Sequence, residues 1–349
     1  MWPEKSFTTP THWMAYISER AAACFVQSWA VMGRIGLAIG AVVLVTGCNP
    51  AETVNDKVAA AHARNDGPAI WVAKDADSTL YLYGTVHLLP TDLDWQKPDM
   101  QEAFASAGTV FFEVPSDEAA QLEGSVLTSS LGFYEDGQRL SEPFDGYQLK
   151  LLEAAAHNGG VLVASLDSMK PWLASEFLTI AAAAQAGLSS EISADEALKH
   201  RARRLKKNIE FLEDVDSQIR ASADLPVTVQ MSVLTETLIR FNTLGDDLQR
   251  IVRAWSVGHA DSLKTDVIEN VKTTSPELYQ SLFVDRNARW GETLTRYMEG
   301  SGTGFVAVGI GHLLGEDSLQ AYLRAQGYKV TRYYAFQGED VIKPIFPKE

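Results

Sequence analysis

The chain has 349 residues, 46% of them hydrophobic, enough to bury one sizeable core or two small ones. Its formal net charge of -15 speaks against a nucleic-acid partner, because phosphate binding needs clustered Lys and Arg. The one basic cluster, KHRARRLKK from Lys199 to Lys207, alternates with apolar residues at helical spacing and reads as a solvated helix face.

Residues 1–31 hold Trp, His and Cys in no clear period, and translation is expected to start at Met32. From there MGRIGLAIGAVVLVTGCNP carries an early Arg, an apolar run from Ile35 to Val45, and Thr-Gly-Cys. That run is too short to span a bilayer, which takes about 20 residues, and fits a signal peptide over 32–47. LVTGC also resembles the bacterial lipobox, whose cysteine becomes the lipidated first residue of the mature protein, here Cys48. Asn49 after it resembles lipoproteins sent on to the outer membrane, so the expected place is the cell envelope, facing the periplasm, with the membrane reached through the lipid. The chain has two cysteines, Cys24 and Cys48, which leaves the mature domain without a disulfide. Residues 48–68, polar and Ala-rich after the cysteine, read as a tether, and residues 69–349 as one domain.

AIWVAKDADSTLYLYGTVHLL reads as a hairpin with a turn at Asp75 to Ser78 and a second strand from Thr79 to Gly84. A capped helix comes next, then a short strand in TVFFEVP, Thr109 to Pro115, stopped by proline. From Ser116 to Ala186 the spacing is mostly helical, broken by NGGVLVASLDSMKPW. SADEALKHRARRLKKNIEFLED reads as a capped helix running into a strand from Asn208 to Leu212, and Ser217 to Gly300 as helical again. GTGFVAVGIGHLLGEDSLQAYLRAQGYKV closes the domain as strand, Gly-rich turn, helix and a last strand from Lys329. The expected class is α/β, with α+β character: a mixed central sheet with large helical insertions and metal-type residues at the C-terminal ends of its strands.

One pattern repeats. LYGTVHLLP from Leu82 and VGIGHLLGE from Val308 each place a glycine three residues before a histidine, Gly84 before His87 and Gly309 before His312. Glycine there would let the chain turn sharply and let a metal or substrate approach the backbone. His87, Glu113, Glu213 and His312 each fall at or just after a predicted strand end, so the four side chains could converge. Two His with one or two carboxylates is a normal ligand set for a catalytic divalent metal with an open position for water, and it suits Mn, Co, Zn or Fe alike. Glu113, inside VFFEVP, would be costly to bury without a partner, though an exposed strand end is equally open; Glu213, next to Asp214, also fits a cap. Arg286 and Asn287, in DRNARW, could orient a substrate oxyanion, and a structural ion pair suits Arg286 as well. Lys170 reads first as part of a helix start, and His157, His200 and His259 as structural or exposed.

With LYGTVHLLP, FFEVP, LDSMKPW, EISADEAL, FLED, VDRNARW and VAVGIGHLLG in this order, the chain resembles the bacterial TraB/GumN family, in the wider TIKI metalloprotease superfamily, from about Ala69 to Thr331. The resemblance implies a metal-dependent hydrolase-like site on His87, His312 and Glu113. It also matches Glu213, Asp195, Arg286 and Asn287, with Asp285 standing where the family more often has Glu. The family implies a reaction class better than a substrate: animal members resemble peptidases that trim a secreted signal protein, TraB-like members are linked to shutting down peptide pheromones, and GumN was named from a polysaccharide gene cluster.

The expected function is therefore an envelope-anchored metal-dependent hydrolase, a peptidase first, acting on a peptide or small-molecule substrate. His87 and His312 would bind the metal, Glu113 would be a third ligand or the base, and Arg286 and Asn287 would stabilise the oxyanion. A module that captures peptides without cutting them would use the same cleft, and a scaffold in envelope or polysaccharide assembly would keep the site only as a relic.

Overall fold

The computed structural model describes residues 67–334 apart from 136, 191 and 192. The expected upstream extension, signal peptide, lipidated Cys48 and tether up to residue 66 lie outside the described residues.

Six strands form one mixed sheet in the order β4-β3-β5-β2-β1-β6. They are β1 (Ile70–Lys74), β2 (Ser78–Thr85), β3 (Thr109–Phe112), β4 (Asn208–Phe211), β5 (Gly302–Gly309) and β6 (Lys329–Arg332). β4, β3, β5 and β2 run parallel, while β1 pairs antiparallel with both β2 and β6. The β1–β2 hairpin turns where Asp75 Oδ1 accepts the backbone N–H groups of Asp77 at 3.2 Å and Ser78 at 2.7 Å, an Asx turn. β2 and β5 are buried along nearly their whole length, which is why both read as near-continuous apolar runs without alternation.

The helices are α1 (Pro98–Ser106), α2 (Glu118–Gly132), α3 (Gly146–Gly159), α4 (Val163–Asp167), α5 (Pro171–Gln185), α6 (Ala194–Arg204), α7 (Val215–Ala223) and α8 (Val227–Ser256). Short turns α9 (Ala260–Leu263), α10 (Asn270–Thr274) and α11 (Pro276–Tyr279) come next, then α12 (Asp285–Met298) and α13 (Leu319–Ala325). The stretch expected to be helical from Ser217 to Gly300 is thus broken. Pro226 caps α8, and π-helical turns at Lys264–Glu269 and Gln280–Val284 interrupt the helical segments beyond α8. Apolar spacing finds a helix but does not see a wider turn inside it. The second π turn runs straight into α12, which carries Arg286 and Asn287.

The basic cluster is a solvated face only in part: His200, Arg203, Arg204 and Lys206 are exposed, while three others are not. Lys199 is buried and pairs with Glu196 at 2.9 Å, the Arg201 guanidinium lies 5.1 Å from the Phe104 ring, and Lys207 donates to the carbonyls of Ala105 and Ala107. Their apolar stems cover the sheet flank while the charges find fixed partners.

Candidate active site

The repeated motif is explained by strand pairing. β2 and β5 are parallel neighbours with Gly84 opposite Val308 and Thr85 opposite Gly309, so the two Gly-x-x-His segments leave the sheet side by side, offset by one residue. A Cβ on Gly84 would lie 2.3 Å from Ile310 Cδ1 and 3.0 Å from Ile310 Cα. The close approach that this glycine allows is therefore by the second motif itself, where the sequence suggested a metal or substrate. Gly309 contributes through its backbone, donating its N–H to Glu113 Oε1 at 2.6 Å. β3 ends at Phe112 and β4 at Phe211, which brings Glu113 and Glu213 to the same sheet edge.

At the centre of this edge lies Arg286, fully buried. Its Nη2 donates to Glu113 Oε2 at 2.9 Å and to Glu213 Oε1 at 2.6 Å, and its Nε donates to both Glu213 oxygens at 3.1 Å. Its Nη1 donates to the Leu282 carbonyl and to His312 Nε2, each at 3.2 Å. The planar fork of a guanidinium suits such a ring of acceptors, and an isolated carboxylate could not be buried here without it.

These contacts set the protonation states. Burial would raise the Glu113 carboxyl, but the Arg286 charge overrides it, with help from the two histidines and the Gly309 N–H, and holds it down to about 2. Glu213, which competes for the same guanidinium, is pushed up by burial, and Arg286 only partly offsets this. Burial and then the Arg286 charge bring His312 down to about 3, so its imidazole is neutral. A neutral ring that accepts from Arg286 at Nε2 must carry its proton on Nδ1, and Nδ1 lies 2.8 Å from Asn287 Oδ1, the acceptor it needs. Asn287 is held in turn by donating from Nδ2 to the Asp317 carbonyl at 2.8 Å, and the Trp290 ring packs against His312 at 4.3 Å.

His87 is different. Its Nδ1 lies 3.2 Å from Asp195 Oδ2, and Asp195 Oδ1 accepts the Thr85 hydroxyl at 2.7 Å. Its Nε2 is buried and has no hydrogen-bond partner among the described residues. Asp195 sits in the first turn of α6, after Ser193, whose side chain caps the helix by accepting the Glu196 N–H. Burial raises the Asp195 carboxyl, with the His87 charge opposing.

The structure thus gathers Glu113, Glu213, Arg286, Asn287 and His312 in one hydrogen-bonded cluster, and pairs His87 with Asp195 within electrostatic reach of Glu113. Lys170 is the N-cap of α5, its backbone N–H donating to Gly132. Sequence reasoning missed Gln218, a buried side chain on α7 whose Nε2 is 3.4 Å from Glu113 Oε2, as well as Thr85 and Lys199. Thr85 is a polar side chain within an apolar stretch, while Gln218 and Lys199 stand among other polar and charged residues, so none of the three has a distinctive signal in the sequence. Asp195 entered through the resemblance alone.

Among the described residues no group of three or more His, Cys, Asp or Glu side chains is spaced to hold a metal ion. The donor chemistry gives the reason: the lone pairs of Glu113, Glu213 and His312 expected to face a metal are turned onto Arg286, which supplies positive charge at that point itself. As arranged, Glu113, Glu213 and His312 do not fit a metal; beside them, His87 Nε2, Asp195 Oδ2 and Gln218 Oε1 are buried without a hydrogen-bond partner among the described residues.

The fold and edge cluster define an α/β protein with a buried ionic site at the C-terminal ends of parallel strands. The chain belongs to the TraB/PrgY/gumN family, whose model matches residues 69–332. It is similar to the uncharacterized protein YbaP of Escherichia coli (strain K12), 26% identical over 259 residues, 74% of this chain and 92% of that protein. YbaP of Shigella flexneri matches to the same extent, 26% over 74% of this chain and 92% of its own. Among solved structures none matches significantly.

Proposed function

We propose that this chain is a hydrolase with peptides as its first substrate class, in which His87 takes and returns the proton. The observation that carries this reading is the His87 ring, with Asp195 Oδ2 at ion-pair distance, 3.2 Å, from Nδ1 and, among the described residues, no hydrogen-bond partner for either Nε2 or that carboxylate oxygen. An imidazole backed by a carboxylate, with its far nitrogen unspent, is what a general base needs, and because that nitrogen is buried the substrate reaches it only when the sheet edge opens. Nε2 takes a proton from water as the water oxygen adds to the substrate carbonyl carbon. Asp195 stabilises the imidazolium through Nδ1–H, and the same proton passes to the leaving amine as the C–N bond breaks. Arg286 and Asn287 act here as positioning residues, since their N–H groups are spent on Glu113, Glu213, His312 and backbone carbonyls.

A second reading, a metal-dependent hydrolase, is favoured by the same unpartnered nitrogen, which could serve as a first ligand for Mn, Co, Zn or Fe. It requires Arg286 to release the glutamates and His312.

The chain would act in the cell envelope, lipid-anchored through Cys48. The apolar run before that cysteine supports this, and no helix among the described residues is long and apolar enough to cross a membrane. Labelling with a fatty acid in cells, lost on Cys48→Ala, is the test of the anchor.

For the reaction, the full-length chain and its His87→Ala variant are incubated with a peptide library and the products read by mass spectrometry. Cleavage by the parent and none by a folded variant supports the hydrolase. Equal cleavage by both ends the reading, and a peptide that binds tightly and is recovered intact moves it to capture.

A further inference from the structure

Away from the sheet edge, α5, α7, α8 and the segment from Leu278 to Leu282 line a partly open pocket of about 40 Å³, room for roughly one water-sized group. Glu176 points into it from α5. Glu176 Oε2 is buried and has no hydrogen-bond partner among the described residues, while Ser222 bonds to the carboxyl. The other polar groups on the wall are already used. Ser175 Oγ lies 2.7 Å from Thr237 Oγ1, Thr179 Oγ1 donates to the Ser175 carbonyl at 2.8 Å, and Gln230 Nε2 donates to the carbonyls of Ala223 and Leu225 at 3.0 and 2.8 Å. No Lys, Arg or His lines the cavity, so this carboxyl has no cation of its own there.

We infer that the cavity is a binding pocket for a primary ammonium group, with Glu176 as its counter-ion. A carboxylate provides the charge and Trp172 an aromatic wall of the kind that attracts a cation. Leu278 and Leu282 close the rest with apolar surface, which strengthens a charge pair formed inside. The size favours a compact ammonium over a planar guanidinium. Burial pushes the Glu176 carboxyl well above the ordinary carboxylate range, so forming the ion pair releases its proton to solvent as the ammonium enters.

The pocket shares its walls with the active site. Leu282 lines the cavity and gives its carbonyl to Arg286, and Ser222 lies on the helix that presents Gln218 to Glu113. The Ser281 hydroxyl ties the two walls together by donating to the Ala221 carbonyl at 2.7 Å. An occupant therefore bears on the elements that hold the cluster. Only the choice of a peptide amino terminus as the source of the ammonium rests on the proposed function; binding does not require cleavage.

The full-length chain in detergent is titrated calorimetrically with Ala-Leu-amide, with N-acetyl-Ala-Leu-amide, with Nα-acetyl-lysine-amide and with butylamine. The same series is run on Glu176→Gln and on Leu278→Trp, which fills the cavity and leaves the carboxyl in place. We expect Ala-Leu-amide to bind about tenfold or more tightly than its acetylated form, and each variant to lose that preference. If the lysine derivative or butylamine binds as well as Ala-Leu-amide, the pocket reads an ammonium from any source, which supports the inference without the peptide reading. Equal affinity for the free and acetylated dipeptides, no binding of any amine, or an unchanged preference in a folded Glu176→Gln would overturn it. Loss of peptide cleavage with amine binding intact would count against the hydrolase alone.

Discussion

Arg286 sets one guanidinium nitrogen 3.2 Å from His312 Nε2, a cation facing a ring nitrogen inside a fully buried site. Such a contact exists only while the imidazole is neutral, so the histidine expected to bind a metal is occupied instead as a hydrogen-bond acceptor.

Replacing Arg286 tests what occupies the cation position. Arg286→Ala leaves two buried carboxylates unpaired, and a stability loss of about 3–5 kcal/mol is expected from thermal or urea melts. The freed Glu113, Glu213 and His312 would then form a donor set open to a cation. After reloading with Mn, Co, Fe or Zn, elemental mass spectrometry is expected to find metal near one per chain in the variant and little in the parent. Stoichiometric metal in the parent would establish the metal-dependent reading.

Acid sensitivity arises from the same contacts. Glu113 is held near 2 against an ordinary 4.5, so its contribution is fully present above pH 4.5 and is lost as the pH falls towards 2, on the order of 3 kcal/mol in all. His312, held near 3 against 6.5, binds its proton more readily when unfolded, so stability begins to fall below pH 6.5. Melting temperatures are expected to decline steadily from pH 7 to pH 4. A flat profile over that range would contradict the His312 assignment, and the absence of a further decline below pH 4.5 would contradict that of Glu113.

Asp195→Asn and His87→Ala separate catalysis from folding. Both residues lie beside the cluster and neither bonds to Arg286. Each substitution is expected to lower peptide hydrolysis by about 10²–10⁴ in kcat with a much smaller change in stability than Arg286→Ala. An Asp195→Asn enzyme with the parent's kcat would remove Asp195 from the mechanism.

Gly84→Ala probes the contact between the two motifs. The new Cβ meets Ile310 backbone as well as its side chain, so relief requires the second motif to move. A cost of about 1–3 kcal/mol is expected in denaturant melts, together with weaker hydrolysis. A substitution at Gly146, where the space around a new Cβ is empty, is the control.

Reading along the chain is enough to find the sheet's parts and the positions of its chemistry. Apolar runs such as those around Tyr81 to Tyr83 and Phe305 to Val308 read as covered strands, and His87, Glu113 and His312 stand after such runs, whereas Glu213 follows the largely exposed β4. Asn287 and Arg286 were likewise legible as helical neighbours in DRNARW, although the π turn before them was not. What each side chain touches depends on the folded arrangement. Parallel pairing of β2 with β5, strands separated by more than two hundred residues, stacks the two motifs and gives Gly84 its reason. The arrival of α12 over the same edge puts a guanidinium where a metal was expected, and α6 brings Asp195 to His87. Spacing along a chain carries the period of local structure, but it carries no record of which distant charge will neutralise a buried one. That is settled by packing, through the cost of leaving such a charge alone.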